Sequence, residues 1–436
     1  MGIFGIDKNL ANVAGILIIL LESCMVESRI LNISCPVVLS LGLLLAACLP
    51  FRLATPGTTP ASPVSTSTIQ ETPLAIGTTG AALSSTQTIF PSCEPAAGIP
   101  PFEITAPQEM DQPTDVPSMR LLAKQRNLFI GAATDPGYLQ DNSAASQLLA
   151  REFNMIVPEV AMKWEIIHPE PERYDFSRGD ALVTFARQQG MAVRGHVLVW
   201  DLQMPAWVTN GQFTRQEWMN ILCTHIKSVV GHYRGQVYGW DVVNEAVNQE
   251  GTLRNTFWMN KLGPEHIAMA FQWAREADPN AKLFYNDNGG EGLNSKSQAI
   301  YALLQGLLQS GVPIDGVGMQ MHTWLGGAPP TSELSANMQR LAELGLEIHI
   351  TEMDVRVQYS TADDSTKLAE QADTYREVLS VCLSVRNCKA FLTWGLTDRY
   401  SWIPGYTGKP DAPLLFDKNG LPKPAYFAIV KLLANQ

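Results

Sequence analysis

The sequence predicts an α/β fold, a (β/α)8 TIM barrel spanning residues 118–436, on three observations. Short apolar, β-branched runs alternate with longer amphipathic segments from residue 118 onward. The runs lack the in–out alternation of half-exposed strands, as expected of parallel strands buried on both faces. Polar residues gather at the C-terminal ends of the runs, where a barrel opens its mouth.

In order, the strands read as 128–134, 155–161, 192–200, 238–247, 282–288, 316–322, 347–355 and 390–398. Helical patterns lie between them, among them 178–189, 215–233, 265–277, 295–310, 332–344 and 368–383, and 426–434 closes the series. Eight β–α units in roughly 320 residues suit this architecture.

The N-terminal part has another texture. Apolar runs at 10–21 and 36–48 are shorter than the ~20 residues of a membrane-spanning helix. The second has the shape of a signal segment, with Arg29 upstream and Leu45-Ala46-Ala47-Cys48 at its end. Residues 1–48 therefore read as an export segment, with Met25 as an alternative start to Met1. Leu-Ala-Ala-Cys resembles a bacterial lipobox, so Cys48 is expected to carry lipid; an ordinary signal with a chance cysteine is the alternative. Residues 49–117, rich in Thr, Ser, Pro, Ala and Gly, read as a disordered linker, because they carry too little apolar surface to offset ordering entropy.

Composition excludes several functions. Hydrophobic residues make up 46%, too few for a multi-span membrane protein. The net charge is −11 and no Lys/Arg run stands out, which argues against nucleic acid or an anionic membrane surface as partner. The seven cysteines form no CxxC pair and no Cys/His cluster with zinc spacing, so neither metal nor cofactor is expected. Cys93 and Cys223 are left without assigned partners.

The polar strand ends are Glu159 and Lys163, His196 and Trp200, Asn244 and Glu245, Asn286 and Asp287, Gln320 and His322, Glu352 and Asp354, Trp394 and Asp398. Two carboxylates stand out: Glu245 ends the fourth strand and Glu352 the seventh, nearly opposite across the mouth. Facing carboxyls with no metal ligands and no Ser or Cys nucleophile motif are the equipment of glycoside hydrolysis. At a separation of about 5 Å the anion on one would raise the pKa of the other and keep it protonated for the leaving oxygen.

These motifs together resemble glycoside hydrolase family 10, the xylanase family, from about residue 120 to the C-terminus. The likeness includes Met162-Lys163-Trp164, Arg194-Gly195-His196, Gln203-Met204-Pro205, Asp241 to Glu245, Gly318 to His322, Thr351 to Asp354, and Lys423-Pro424-Ala425-Tyr426. The resemblance implies a retaining endo-β-1,4-xylanase, with Glu245 as acid/base and Glu352 as nucleophile. Asn244 would bond the sugar 2-hydroxyl, and His322 and Asp354 would hold Glu352. Lys163, His196 and Gln320 would line the cleavage site, Glu159 and Gln203 the next sugar. Trp200 belongs to the same sugar-binding set, and Trp394 and Trp402 would stack on sugar faces, Trp402 also crowding a hexose hydroxymethyl. A disulfide between Cys382 and Cys388 is also implied.

Three positions depart from the family pattern: Val160 stands for an Asn, Asp201 for a His and Asn288 for an aromatic residue. They leave xylan, arabinoxylan and mixed-linkage glucan open as preferred substrates. The rival readings are a related β-glucanase, a binding protein with decayed catalysis, and a structural exported barrel. The expected enzyme is a monomer outside the cytoplasm, on the cell surface if Cys48 is lipidated.

Overall fold

The computed structural model describes residues 90–103, 117–139 and 143–435. The 1–48 export segment, with Met25 and Cys48, and most of the 49–117 linker lie outside the described residues.

Eight parallel strands close into a barrel: β1 (Phe129–Thr134), β2 (Met155–Pro158), β3 (Ala192–Gly195), β4 (Gly239–Asn244), β5 (Lys282–Asp287), β6 (Gly316–Met319), β8 (Glu347–Arg356) and β9 (Cys388–Thr393). Each pairs with the next, β6 pairs with β8, and β9 returns to β1. A short extra strand, β7 (His322–Trp324), runs beside the end of β8 and sets His322 opposite Asp354. Every barrel strand is followed by a long helix on the outside, from Ala144–Glu152 after β1 to Pro424–Ala434 after β9.

Local chemistry fixes where those helices start. Thr214 and Glu217 form a reciprocal capping box ahead of Arg215–His232, and Asn294 with Ser297 does the same for Ser295–Gln309. Inside, residues of β4 are buried along its whole length, as its unalternating apolar pattern requires.

Several expected strands extend too far. The segment 192–200 is strand only to Gly195, and 316–322 breaks after Met319, where Met321 takes a positive φ of 60°. The residues beyond the break are those that turn into the mouth.

Residues 90–103, read as part of the linker, lie against the barrel. Phe102 N donates to His232 O at 2.7 Å, and Trp273 Nε1 to Pro91 O at 2.9 Å. Cys93 is joined to Cys223 on the outer helix. Phe90 and Phe102 supply the apolar anchors, which the polar composition of the longer stretch had hidden. A second disulfide joins Cys382 and Cys388 at the entry to β9.

Candidate active site

The mouth is built around three amides. Thr351 Oγ1 donates to Asn286 Oδ1 at 2.8 Å, which fixes the orientation of the Asn286 amide. Its Nδ2 then donates to Asn244 Oδ1 at 2.9 Å and to Glu352 Oε1 at 2.7 Å. Gln320 Nε2 reaches the same Asn244 oxygen at 3.2 Å and Glu245 Oε1 at 3.1 Å. The two carboxylates are thus held by one buried hydrogen-bond network. Asn244 accepts two bonds on its oxygen, while its Nδ2 donates to Glu245 Oε1 at 3.3 Å and has a second hydrogen.

This crowding depends on Gly318. A Cβ there would lie 2.1 Å from Asn286 Oδ1, so any larger residue would break the network at its centre.

Glu352 is also held from its other side. His322 bridges Glu352 Oε2 at 3.1 Å and Asp354 Oδ2 at 2.8 Å. Burial disfavours charge on this ring, but the two carboxylates outweigh it and carry its pKa up to about 10. His322 therefore stands as an imidazolium that donates from both nitrogens. Trp402 Nε1 donates to the same Asp354 oxygen at 2.9 Å.

Lys163 is nearly buried, with its ammonium 2.6 Å from Gln203 Oε1 and 4.9 Å from the centroid of the Trp200 ring. Burial pulls its pKa down, while the charges of Glu352, Glu159, Glu165 and Glu245 pull it up. One cation thus senses both central carboxylates. Glu159 lies beside it, pushed up to about 7 by burial against the opposing pull of Lys163.

Trp394 is almost wholly buried, T-shaped to His196 at 5.1 Å and to His322 at 6.3 Å between ring centroids. His196 Nδ1 meets Asp241 Oδ2 at 3.0 Å. All thirteen expected residues therefore belong to one mouth, although Trp394 and Trp402 form its walls through edges and N–H groups. Asp398, by contrast, is a structural pin: it pairs with buried Lys423 at 3.0 Å and accepts from Leu414 N at 2.8 Å. Asp287 likewise pairs with buried Lys296 at 2.8 Å.

Glu245 departs from expectation. Burial raises its pKa, but hydrogen bonds from Gln320 and Arg254 and the Arg254 charge outweigh burial and leave it below the usual carboxylate value. The resting site does not hold this group protonated by repulsion alone. Arg254, absent from the expected residues, donates to Glu245 Oε2 at 2.8 Å. Asn286, a strand-end residue, and buried Arg194, a motif residue bonded to Asp241 and His349, carry no role in the sequence reading.

A family model, Glycosyl hydrolase family 10, matches residues 118–432. The chain belongs to glycoside hydrolase family 10. This family 10 chain is 44% identical to endo-1,4-beta-xylanase B of Thermotoga neapolitana over 321 residues, covering 73% of this chain and 92% of that protein. It is 41% identical over 303 residues to an endo-1,4-beta-xylanase of Agaricus bisporus, covering 69% and 90%. Among solved structures, xylanase 10B of Thermotoga petrophila in complex with xylobiose superposes with a TM-score of 0.71 at 43% identity, covering 74% of this chain and 98% of that one. With that family, the barrel and the paired carboxylates describe one kind of site.

Proposed function

We propose that this family 10 chain is a retaining endo-β-1,4-xylanase in which Glu352 is the nucleophile and Glu245 the acid/base. The observation that carries the reading is the network through Asn244, Asn286 and Gln320, which orients both carboxylates toward one cleft.

Each half-reaction follows from these contacts. A Glu352 oxygen attacks the anomeric carbon while the bond to the leaving oxygen breaks, and Glu245 gives that oxygen its proton. Glu352 is then an ester and Glu245 an anion, for which Arg254 is a ready partner. Glu245 takes a proton from water, the water oxygen attacks the anomeric carbon, and the ester bond breaks to return Glu352. His322, charged and bonded to Glu352 Oε2, keeps the carboxylate aimed and stabilises it as it leaves. Asn244 Nδ2 donates its second hydrogen to a sugar 2-hydroxyl, an interaction that strengthens in the transition state.

Lys163, Gln203, Glu159, Trp200, His196, Trp394 and Trp402 bind the sugars flanking the cleaved bond. Export, with Cys48 as a lipid anchor, is supported by the signal-like run before it. Radiolabelled palmitate should be incorporated; none would leave a plain signal peptide. For the chemistry, hydrolysis of xylan should exceed that of mixed-linkage glucan and carboxymethylcellulose. Glu352→Gln should lower the rate by ~10³-fold or more, and full activity in that variant would refute the nucleophile assignment.

A further inference from the structure

After Glu245 the chain doubles back. Val247 and Leu253 form an antiparallel bridge, Asn248 N donates to Thr252 O at 2.9 Å, and Arg254 N donates to Ala246 O at 2.8 Å. Gly251, with φ of 84°, makes the turn. The hairpin returns Arg254 to the residue it started from, where Nη1 donates to the Glu245 main-chain oxygen at 3.2 Å and to Oε2 at 2.8 Å. Glu245 itself has φ of 57°, a left-handed backbone that a non-glycine residue seldom adopts, and the bond to its carbonyl braces it there.

Asp201 lies within electrostatic reach of this pair, held at the start of the helix that follows the hairpin. Its Oδ1 accepts from Phe257 N at 2.8 Å, and its charge is felt by both Arg254 and Glu245. It occupies a position where the family pattern led us to expect histidine.

We propose that Arg254 is a positioning residue which grips Glu245 through the 246–254 hairpin, and that Arg254 and Asp201 together set how far the pH can rise before the general acid is lost. The proposal rests on the reading of Glu245 as acid/base.

The logic is electrostatic. A guanidinium on Glu245 favours its anion, which suits the base of the second half-reaction and opposes the acid of the first. The Asp201 carboxylate attracts the same guanidinium through its charge and repels the Glu245 anion, so it works in the opposite sense. The other groups facing Glu245 are Lys163 from the loop after β2, Trp200 after β3, Tyr285 on β5 and the neutral Asn244 and Gln320, with Glu352 sharing Lys163 across the cleft. Arg254 is the one cation among these bonded to the Glu245 carboxylate, and its side chain is about one-third exposed, at 34%.

The test is the pH profile of kcat/KM for xylan, whose alkaline limb reports the free enzyme's general acid. Arg254→Gln should move that limb up by about one pH unit, and Asp201→Asn should move it down by a smaller step. Arg254→Lys, which restores a charge without the fork, should recover most of the original position. Opposite shifts are something that simple structural damage does not produce. With 2,4-dinitrophenyl xylobioside, whose leaving group needs no acid, the limb should not follow these substitutions. Limbs that stay in place, or move the same way in both variants, would overturn the proposal. If Arg254→Gln does not fold, Asp201→Asn still decides: no downward shift overturns it. An unsubstituted enzyme that fails to cleave xylan would instead overturn the functional reading beneath it.

Discussion

Asn286 carries more of the site than its place in the sequence suggests. One amide orients the Asn244 oxygen and Glu352 Oε1, and its own orientation comes from Thr351. Asn286→Ala should therefore lower kcat/KM for xylan by about 10²-fold with little change in Tm, since it removes orientation rather than core volume. Measured kinetics within two-fold of the unsubstituted enzyme would contradict this. His322 gives a pH signature of its own. Its folded pKa of about 10 lies above the ordinary 6.5, so its contribution to stability is complete below pH 6.5 and is lost as pH rises through 10. Thermal unfolding between those pH values should show a decline in Tm that is shallower in His322→Gln. The gathering of the carboxylates, His322 and the other strand-end residues at one mouth was legible in the sequence because they end strands inside recognisable motifs. Arg254 was not, because it acts from a hairpin nine residues beyond Glu245 and nothing in its spacing points back to that residue.

Among the secondary elements, strand order and helix positions were legible because burial on both faces leaves a run of apolar residues that needs no partner to be seen. Helix 265–277 was placed at its observed limits. The strand ending at 195 was read as running on because Val197, Leu198 and Val199 are apolar and rejoin β4, Val199 facing Val243, whereas 316–322 was overextended because the polar Gln320 and His322 were counted to the strand they follow. The pairing of Cys93 with Cys223 could not be read from spacing, since cysteines 130 residues apart give no register. That bond closes a long loop and should contribute about 2–4 kcal/mol. Cys93→Ser with Cys223→Ser should lower Tm by several degrees while leaving kcat at 25 °C unchanged; an unaltered Tm would remove the strap's stabilising role. A buried pair, His168 and His225, joins the loop after β2 to the Arg215–His232 helix with ring nitrogens 3.2 Å apart. Burial drives His168 down to about 4, so both rings stay neutral and stability is complete above pH 6.5 and lost as pH falls toward 4. His168→Gln should flatten that acid-side loss in Tm.

At the level of the whole molecule, a barrel lets residues more than a hundred positions apart meet at one rim, which is why paired carboxylates separated by this much sequence can share a substrate. The family pattern made that rim legible, while the balance of charge on it was not: repulsion between carboxylates was expected to hold Glu245 protonated, whereas burial raises it and the bonds from Gln320 and Arg254 with the Arg254 charge together outweigh that rise. The most direct test of the mechanism is inactivation by a 2-fluoro-xylobioside with a good leaving group, followed by peptide mass spectrometry. The mechanism predicts a stoichiometric glycosyl adduct on the peptide carrying Glu352. An adduct on Glu245 or on any other carboxylate would contradict it.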